Sequence, residues 1–477
     1  MRFSKYILTL LFFACVITAQ AQNNLFTLQR CVDTAIKNNL NVKQTALAAQ
    51  QDKINLTQAK DNLLPSITGG ASRTISQGRG INPVTNTYVN QNLTSDNYNL
   101  SGYLTIFNGL VLQNSIKQAS LAYQAGQMDY QSAKDQVTLN IISNYLSILE
   151  AQEQLASTQS QLEVAKQTVD RSEILEKEGA NKSTVDLYTF RGAYAGSQVA
   201  VVSAQNSLDA AKLNLFQLMN IPYDRNAVFP DLNASNVKGN YGIATPDSVY
   251  DTALKQLAVI KAATLRRESA EKAVKVSKGQ LLPTLSLNGN LGTNFSSAGQ
   301  REVFIDSTVV NTGLYTNAPG GGKQPVFSTQ ANYASQNISY IDQFKNNYGT
   351  SASLSLNIPI FTNHIKKNAV ALAKINLEIE RNTEDNTKIQ LRQSIETAFY
   401  NMTAAYNKYQ ALTNQVTAYT ESFRISKIQY ESGILTSVDF LVAKNNLDGA
   451  DLNLISARYD YFIYSKILDY YEGKLSF

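Results

Sequence analysis

The sequence is poor in the residues that carry most protein chemistry. One histidine, His364, and two cysteines stand in 477 residues. No Cys/His spacing for zinc exists, so no metal centre is expected, and no cofactor. Neither a glycine-rich phosphate loop nor a nucleophile motif is present, which argues against an enzyme. Charged residues make up only 17% of the chain, with a net charge of +5 and no Lys/Arg cluster, so no nucleic-acid partner is indicated. Beyond the N-terminus no run of about 18 apolar residues occurs, which excludes a spanning helix. Proline is absent between Phe107 and Pro222, and again through 363–430.

What is present begins with a secretory pattern at residues 1–21. Arg2 and Lys5 precede an apolar run from Ile7 to Ile17, and Ala19-Gln20-Ala21 offers a small-x-small cleavage site. That run is too short for a membrane anchor. Acylation at Cys15 fits less well, because Phe12-Phe13-Ala14 is a poor lead-in and a better cleavage site follows. Cleavage leaves Cys31 as the single thiol, so no internal disulfide can form.

One stretch occurs twice. Leu63-Leu64-Pro65-Ser66-Ile67-Thr68 and Leu281-Leu282-Pro283-Thr284-Leu285-Ser286 each close a helical pattern and open an alternating one. Proline cannot continue a helix and pushes the preceding residue toward extended geometry. Upstream, Asp33-Thr34-Ala35-Ile36-Lys37 answers Asp251-Thr252-Ala253-Leu254-Lys255. Both pairs are 218 residues apart, which argues for an internal duplication over the chance likeness of two amphipathic helices.

The periodicity predicts a helix over 28–62 and a weak strand over 66–75, then a loop over 77–96. Residues 97–107 alternate strictly, with Tyr98, Leu100, Gly102, Leu104 and Ile106 against Asn99, Ser101, Tyr103 and Thr105. Ten such residues are the length of a membrane-spanning strand. After Phe107-Asn108-Gly109 the segment 110–178 reads as one helix roughly 100 Å long, beyond globular norms. A second helix follows from Ser183 to Asn220. The segment 221–246 reads as a linker, so that 22–220 and 247–477 form a first and a second repeat. The second repeat predicts helix 247–280, strand 284–295, a loop over 296–348, strand 350–361, helix 363–430 and a last helix over 437–472. In the long helix, Ile395, Phe399, Met402, Tyr406, Tyr409, Leu412, Val416, Tyr419 and Phe423 recur at the coiled-coil period. Phe107/Phe361 and Gly179/Gly433 are 254 apart rather than 218, so the second loop carries 36 extra residues, as a loop tolerates.

Two strands per repeat give four per chain. One face is apolar and, Arg73 apart, uncharged; the other is Ser, Asn and Thr. A soluble sandwich would need more strands and would carry charge outside, whereas a lipid-facing barrel accounts for both features. Four strands cannot close a barrel, and an open edge in lipid is forbidden. Several chains must share one: two would supply eight strands and three would supply twelve. The helices, too polar for the bilayer, are expected to extend it as a tube. The expected class is therefore an α+β membrane protein with an internally duplicated helix–strand–strand–helix–helix protomer.

Tyr430-Glu431-Ser432-Gly433-Ile434-Leu435-Thr436-Ser437-Val438-Asp439 resembles the second helix-hairpin turn of the TolC family of outer-membrane efflux channels. Asn445-Asn446-Leu447 and Ala457-Arg458-Tyr459-Asp460-Tyr461 are similar to that family's final helix. The first repeat offers Glu178-Gly179 and Ser183-Thr184-Val185-Asp186. The resemblance spans nearly the whole mature chain. It implies a homotrimer with a twelve-strand barrel in the cell outer membrane and a periplasmic α-barrel. It also implies a periplasmic adaptor and an inner-membrane transporter, proton-driven of the RND type or an ABC-type exporter. The implied gate and docking turns hold Gly179, Ser183, Asp186, Tyr430, Gly433, Thr436 and Asp439, with Asp186 and Asp439 ringing the aperture. The chain departs from the pattern in two places: Glu176 stands where the second repeat has Tyr430, and no arginine stands in the second turn. Ser183-x-x-Asp186 and Thr436-x-x-Asp439 also read as helix caps, a role compatible with facing a pore. Small-molecule efflux, type I protein secretion and, from the helices alone, a periplasmic structural coiled coil remain as readings of function.

Overall fold

A computed structural model describes residues 25–81, 86–90, 92–178, 184–231 and 245–474. The signal segment and residues 232–244 of the segment 221–246 lie outside the described residues. The chain divides into two compact units. One comprises the stretch up to Leu56, Gln118–Glu271 and everything from Ile375 onward. The other comprises Thr57–Lys117 and Lys272–Lys374.

The first unit is helical. Its elements belong to α1 (Leu28–Asn38), α2 (Leu40–Asp61), α3 (Val111–Lys177), α4 (Thr184–Leu218), α5 (Pro246–Gln256), α6 (Ala258–Gly279), α8 (Ile365–Glu431) and α9 (Ser437–Tyr471). The single helix expected over 28–62 is two. Asn39 leaves the helical region at ψ 126°, and its side chain accepts from Asn41 N–H (2.9 Å) and Val42 N–H (3.2 Å), capping α2. The helix expected over 247–280 breaks likewise at Leu257, at ψ 132°. Thr27 caps α1, and Thr245 with Ser248 forms a capping box ahead of Pro246, which opens α5.

The main core gathers Cys31, Ile141, Tyr145, Leu215, Phe216 and Met219, all fully enclosed. The described part of 221–246 packs into it: Phe229 lies 5.8 Å from Phe26 ring to ring, and Tyr145 donates to the Pro230 carbonyl at 2.8 Å. Burial pushes the Cys31 thiol up to about 12, so it stays protonated and unreactive. Along α8 the coiled-coil stripe holds in part. Ile395 and Met402 are buried while Tyr409, Leu412, Val416, Tyr419 and Phe423 are half-buried; Ala405 takes the buried place expected of Tyr406.

Glu150 on α3 accepts from Ser456 Oγ at 2.7 Å and Gln154 Nε2 at 3.0 Å. Burial raises its pKa above the usual carboxylate range. The fold therefore favours the protonated form. Ionised Glu150 opposes folding above its folded pKa, and this cost vanishes as pH falls to the unfolded value. Glu150→Gln is expected to raise the melting temperature at pH 7 and to change nothing at pH 4; an equal rise at both would place the effect elsewhere.

The second unit is built on a four-stranded antiparallel sheet of order β1-β4-β5-β8. Its strands are β1 (Ser66–Ser76), β4 (Leu93–Phe107), β5 (Thr284–Ser296) and β8 (Gly349–Asn357). β1 is thus a full strand. β8 stops at Asn357, before Pro359, which cannot donate to a ladder. Cross-strand register puts Ile67, Leu100, Leu104, Leu285, Leu287, Leu291, Leu354 and Leu356 on one face, and Thr68, Ser101, Asn99, Ser286, Asn288, Ser353 and Ser355 on the other. β1 and β8 are the two edges.

The loops expected over 77–96 and 296–348 contain further structure. β2 (Arg79–Ile81) pairs with β3 (Tyr88–Asn90), and β6 (Gln300–Asn317) pairs with β7 (Lys323–Asn337) as an isolated ribbon. A short helix, α7 (Tyr340–Asn346), follows. The ribbon lies inside the segment 296–348, expected to be a loop. β4 also begins earlier than expected, taking in Asp96, which Arg73 binds through both carboxylate oxygens at 2.7 Å each. The charge expected on the apolar face is therefore neutralised within it.

His364 is exposed, its ring edge-on to Phe361 at 5.5 Å. Among the described residues no group of three or more His, Cys, Asp or Glu could hold a metal, and no helix is long and apolar enough to cross a membrane.

Candidate functional site

The expected site lies where α3 gives way to α4 and α8 gives way to α9. α8 ends at Glu431, and Gly433 follows at φ +77°, a conformation that suits glycine. Gly433 N–H bonds the Tyr430 carbonyl (3.1 Å), and Ile434 N–H bonds that of Gln429 (2.9 Å), which closes the helix C-terminus. Thr436 caps α9: its Oγ1 accepts from Asp439 N–H at 3.2 Å and donates to Asp439 Oδ2 at 2.7 Å. Thr436 is thus the cap, with Asp439 in the first turn of the helix and exposed, and among the described residues no reciprocal backbone bond completes a capping box. Gly179 and Ser183 lie outside the described residues.

The two hairpin ends are tied together by three kinds of contact. The first is aromatic. Tyr430 is buried beside Phe190 (5.5 Å, edge-on) and Phe440 (5.0 Å, stacked), with Phe423 5.5 Å from Phe440. Val169 and Leu187 complete this cluster. Burial raises the Tyr430 pKa, and its hydroxyl engages Ser172. The second is a part-buried polar contact. Ser437, 6% exposed, donates its Oγ to Asp186 Oδ1. The third is ionic. Arg171 Nη1 meets Glu431 Oε1 at 2.9 Å across the two hairpins, and Arg191 meets Glu173 at 2.7 Å within the first. The Arg191 hydrogen bond holds the Glu173 carboxyl below its ordinary range.

The structure thus unites Asp186, Tyr430 and Ser437, while Gly433, Thr436 and Asp439 shape the adjoining turn. Asp186 and Asp439 occupy matching sequence positions in different surroundings: one half-buried against Ser437, the other exposed. Sequence reading missed Arg171, Glu431 and Phe190. The second turn has no arginine, and the guanidinium that reaches its first residues comes from α3 instead. Above the turns, α3, α4 and α9 enclose a cavity of about 330 Å³, bordered by Gln161, Thr168, Gly196, Lys444 and Asp448. Lys444 is buried and bonds Asp448, whose pKa burial raises.

A family model described as "Outer membrane efflux protein" matches residues 31–220 and 249–469, most of the chain. The chain belongs to the outer membrane efflux protein family. This efflux protein is 26% identical over 419 residues to the outer membrane protein TolC of Escherichia coli K12, covering 86% of this chain and 74% of that one. Among solved structures it resembles the outer membrane protein VceC of Vibrio cholerae, with a TM-score of 0.71 at 15% identity over 94% of this chain and 96% of that one. The Campylobacter jejuni CmeC outer membrane channel matches with a TM-score of 0.66 at 19% identity, over 94% and 86%. The efflux protein resides in the outer membrane, with its helical part in the periplasm, and functions in transport.

Proposed function

We propose that three copies close one twelve-strand barrel in the outer membrane and line a periplasmic helical duct with their long helices. The duct is a passive exit for small toxic molecules, drugs among them, delivered by a periplasmic adaptor and an inner-membrane pump, the latter proton-driven. It performs no catalysis. Gly179, Ser183, Asp186, Tyr430, Gly433, Thr436 and Asp439, joined by Arg171, Glu431 and Ser437, form the periplasmic gate and the surface on which the adaptor docks.

The observation that carries this reading is the sheet with two unpaired edges and one apolar, charge-neutral face. In lipid every backbone N–H and C=O needs a partner, so β1 and β8 must meet strands of other copies. The chain supplies four strands, and bacterial barrels have 8 or more in even numbers. The register supports the duplication. Thr68 faces Ser101 as Ser286 faces Ser355, residues 218 and 254 apart respectively. The paired 67-residue helices α3 and α8 and the paired 35-residue helices α4 and α9 agree with it.

Under that repeat, the seam between copies reproduces the β4–β5 seam inside one. Ser101 opposite Asn290 becomes Ser355 opposite Ser72 of the next copy. A chain carrying Ser72→Cys and Ser355→Cys is expected to give oxidised dimer and trimer bands on denaturing gels, and neither single variant is expected to give a trimer ladder. Buried Cys31 should stay silent. A monomer band alone, from membranes that contain the protein, would sink the shared barrel.

A further inference from the structure

One feature of the sheet is unlike the rest. β8 begins at Gly349, opposite Gly292, so the last residues of β5, paired with β4 on one side, lack a strand partner on the other. α7 fills that edge. The Gln343 side-chain amide takes the place of a strand: its Oε1 accepts from Ser296 N–H at 2.9 Å and its Nε2 donates to the Ser296 carbonyl at 2.9 Å. Asn347 Nδ2 donates to the Asn294 carbonyl at 2.7 Å. Thr293 Oγ1, on the apolar face, donates to the Phe344 carbonyl at 2.7 Å. Tyr340 stacks obliquely on Phe295 at 4.6 Å, and its hydroxyl meets that of Tyr98 at 2.7 Å. α7 therefore lies on the apolar side of the sheet, held through Tyr340, Gln343 and Asn347.

The neighbouring stripe, Ile341 and Phe344 on the helix with Tyr348 just past its end, is also apolar and is 62%, 44% and 60% exposed. A spacing of three puts Ile341 and Phe344 on one helical face. Between Phe344, Tyr348 and the sheet runs a groove of about 570 Å³. Its floor is small and apolar, with Gly69 beside Leu100 and Leu291. No lining residue is charged, and the Arg73–Asp96 pair at this end of the sheet cancels itself.

We propose that α7 is an interfacial foot marking the outer-leaflet boundary, and that the groove beneath it holds the acyl chain of a membrane lipid. The inference rests on the barrel reading above. Three observations favour lipid over a second protein copy. The groove opens continuously onto the apolar face that carries exposed Leu287, Leu354 and Leu356. Five aromatic residues (Tyr98, Phe295, Tyr340, Phe344, Tyr348) gather at one end of the strands, as aromatic side chains gather where hydrocarbon meets headgroups. Finally, the Gln343 and Asn347 bonds satisfy the backbone of β5 where water could not.

The chain contains no tryptophan, so one introduced indole reports alone. Phe344→Trp and Tyr348→Trp place it in the groove wall. Leu354→Trp places it on the strand face that the barrel reading turns to lipid, and Val309→Trp places it on the β6–β7 ribbon. Each variant is reconstituted in phosphatidylcholine vesicles containing lipid brominated high or low on its acyl chain. Emission from residues 344 and 348 is expected to be largely lost with the high bromine and less affected by the low one, with little quenching by aqueous acrylamide. Val309→Trp should show the reverse. Quenching of residue 354 but not of 344 or 348 overturns the foot and leaves the barrel standing. Shielding of 344 and 348 from both bromine and acrylamide means a protein surface covers them and overturns it too. If residue 354 also escapes the bromines, the barrel reading falls with it.

Discussion

Gly279→Val is expected to abolish the assembled protein in the membrane while Gly80→Ala leaves it unchanged. Gly279 ends α6, just before the switch at Leu281-Leu282-Pro283, and Gly109 follows β4. Their backbones touch. A Cβ built on Gly279 would stand 2.5 Å from the Gly109 carbonyl oxygen and 2.9 Å from Val111 Cγ2. A Cβ built on Gly109 would stand 2.2 Å from the Gly279 oxygen. Real Cβ atoms do not approach so closely, and main-chain atoms cannot swing aside as a side chain can. Gly109 also needs φ +69°, so it resists substitution twice over, whereas at Gly279 the objection is purely steric. Overpacking a core costs about 1–3 kcal/mol even when side chains can yield; two backbones held apart exceed that. Gly80, with open space around it, is the matched control. Outer-membrane fractionation with crosslinking decides the matter: Gly279→Val found assembled at the parental level would remove the close approach from the forces that fix this junction.

The second large effect concerns the gate proposed at the hairpin turns. In planar bilayers at low salt, Arg171→Ala with Ser437→Ala is expected to turn a mostly closed channel into one that opens often. Arg171–Glu431 is a half-exposed pair, worth about 0.2–1 kcal/mol by itself. The Ser437–Asp186 contact is part-buried and made to a carboxylate, and so stronger. If each copy loses ~1 kcal/mol and three copies open together, the equilibrium shifts by about 3 kcal/mol, on the order of 100-fold. The ionic part is screened by salt, so the difference between parent and Arg171→Ala should shrink as ionic strength rises. Exchanging the charges, Arg171→Glu with Glu431→Arg, should restore closure. An unchanged open probability in the double alanine variant would leave these contacts as ordinary packing between hairpins.

Much of this arrangement could be read from the sequence, for a physical reason. Strands that separate lipid from water must alternate, so β4, β5 and β8 announce themselves through Leu and Ile set against Ser and Asn. The long helices are betrayed by the absence of proline. Where no such contrast is imposed, the signal fades. The β6–β7 ribbon is exposed on both faces, and bulges at Phe304/Asp306 and Asn311/Tyr315 shift its phase, so no single period-two frame spans it. α7 is 7 residues long, too short for a helical period to show. The break at Asn39 carries a capping side chain, but its counterpart Leu257 carries no polar cue at all. In the candidate site, Gly433 and Thr436 were legible because turn and cap chemistry is local. Arg171 and Glu431 were not, because their pairing depends on two hairpins 260 residues apart in sequence meeting in space.

The unpaired edges of β1 and β8 have a consequence for how such a protein is made. In the shared barrel proposed above, a chain's sheet is finished only by its neighbours, so it cannot complete folding by itself and its stability depends on how many copies are present. Until the seam closes, each copy offers bare strand edges to whatever strand arrives first. In a cell that makes both normal chains and chains with a spoiled edge, the defective copies should enter mixed rings and disable them. The damage would then exceed their share of the population, and a single faulty allele would behave as a dominant one.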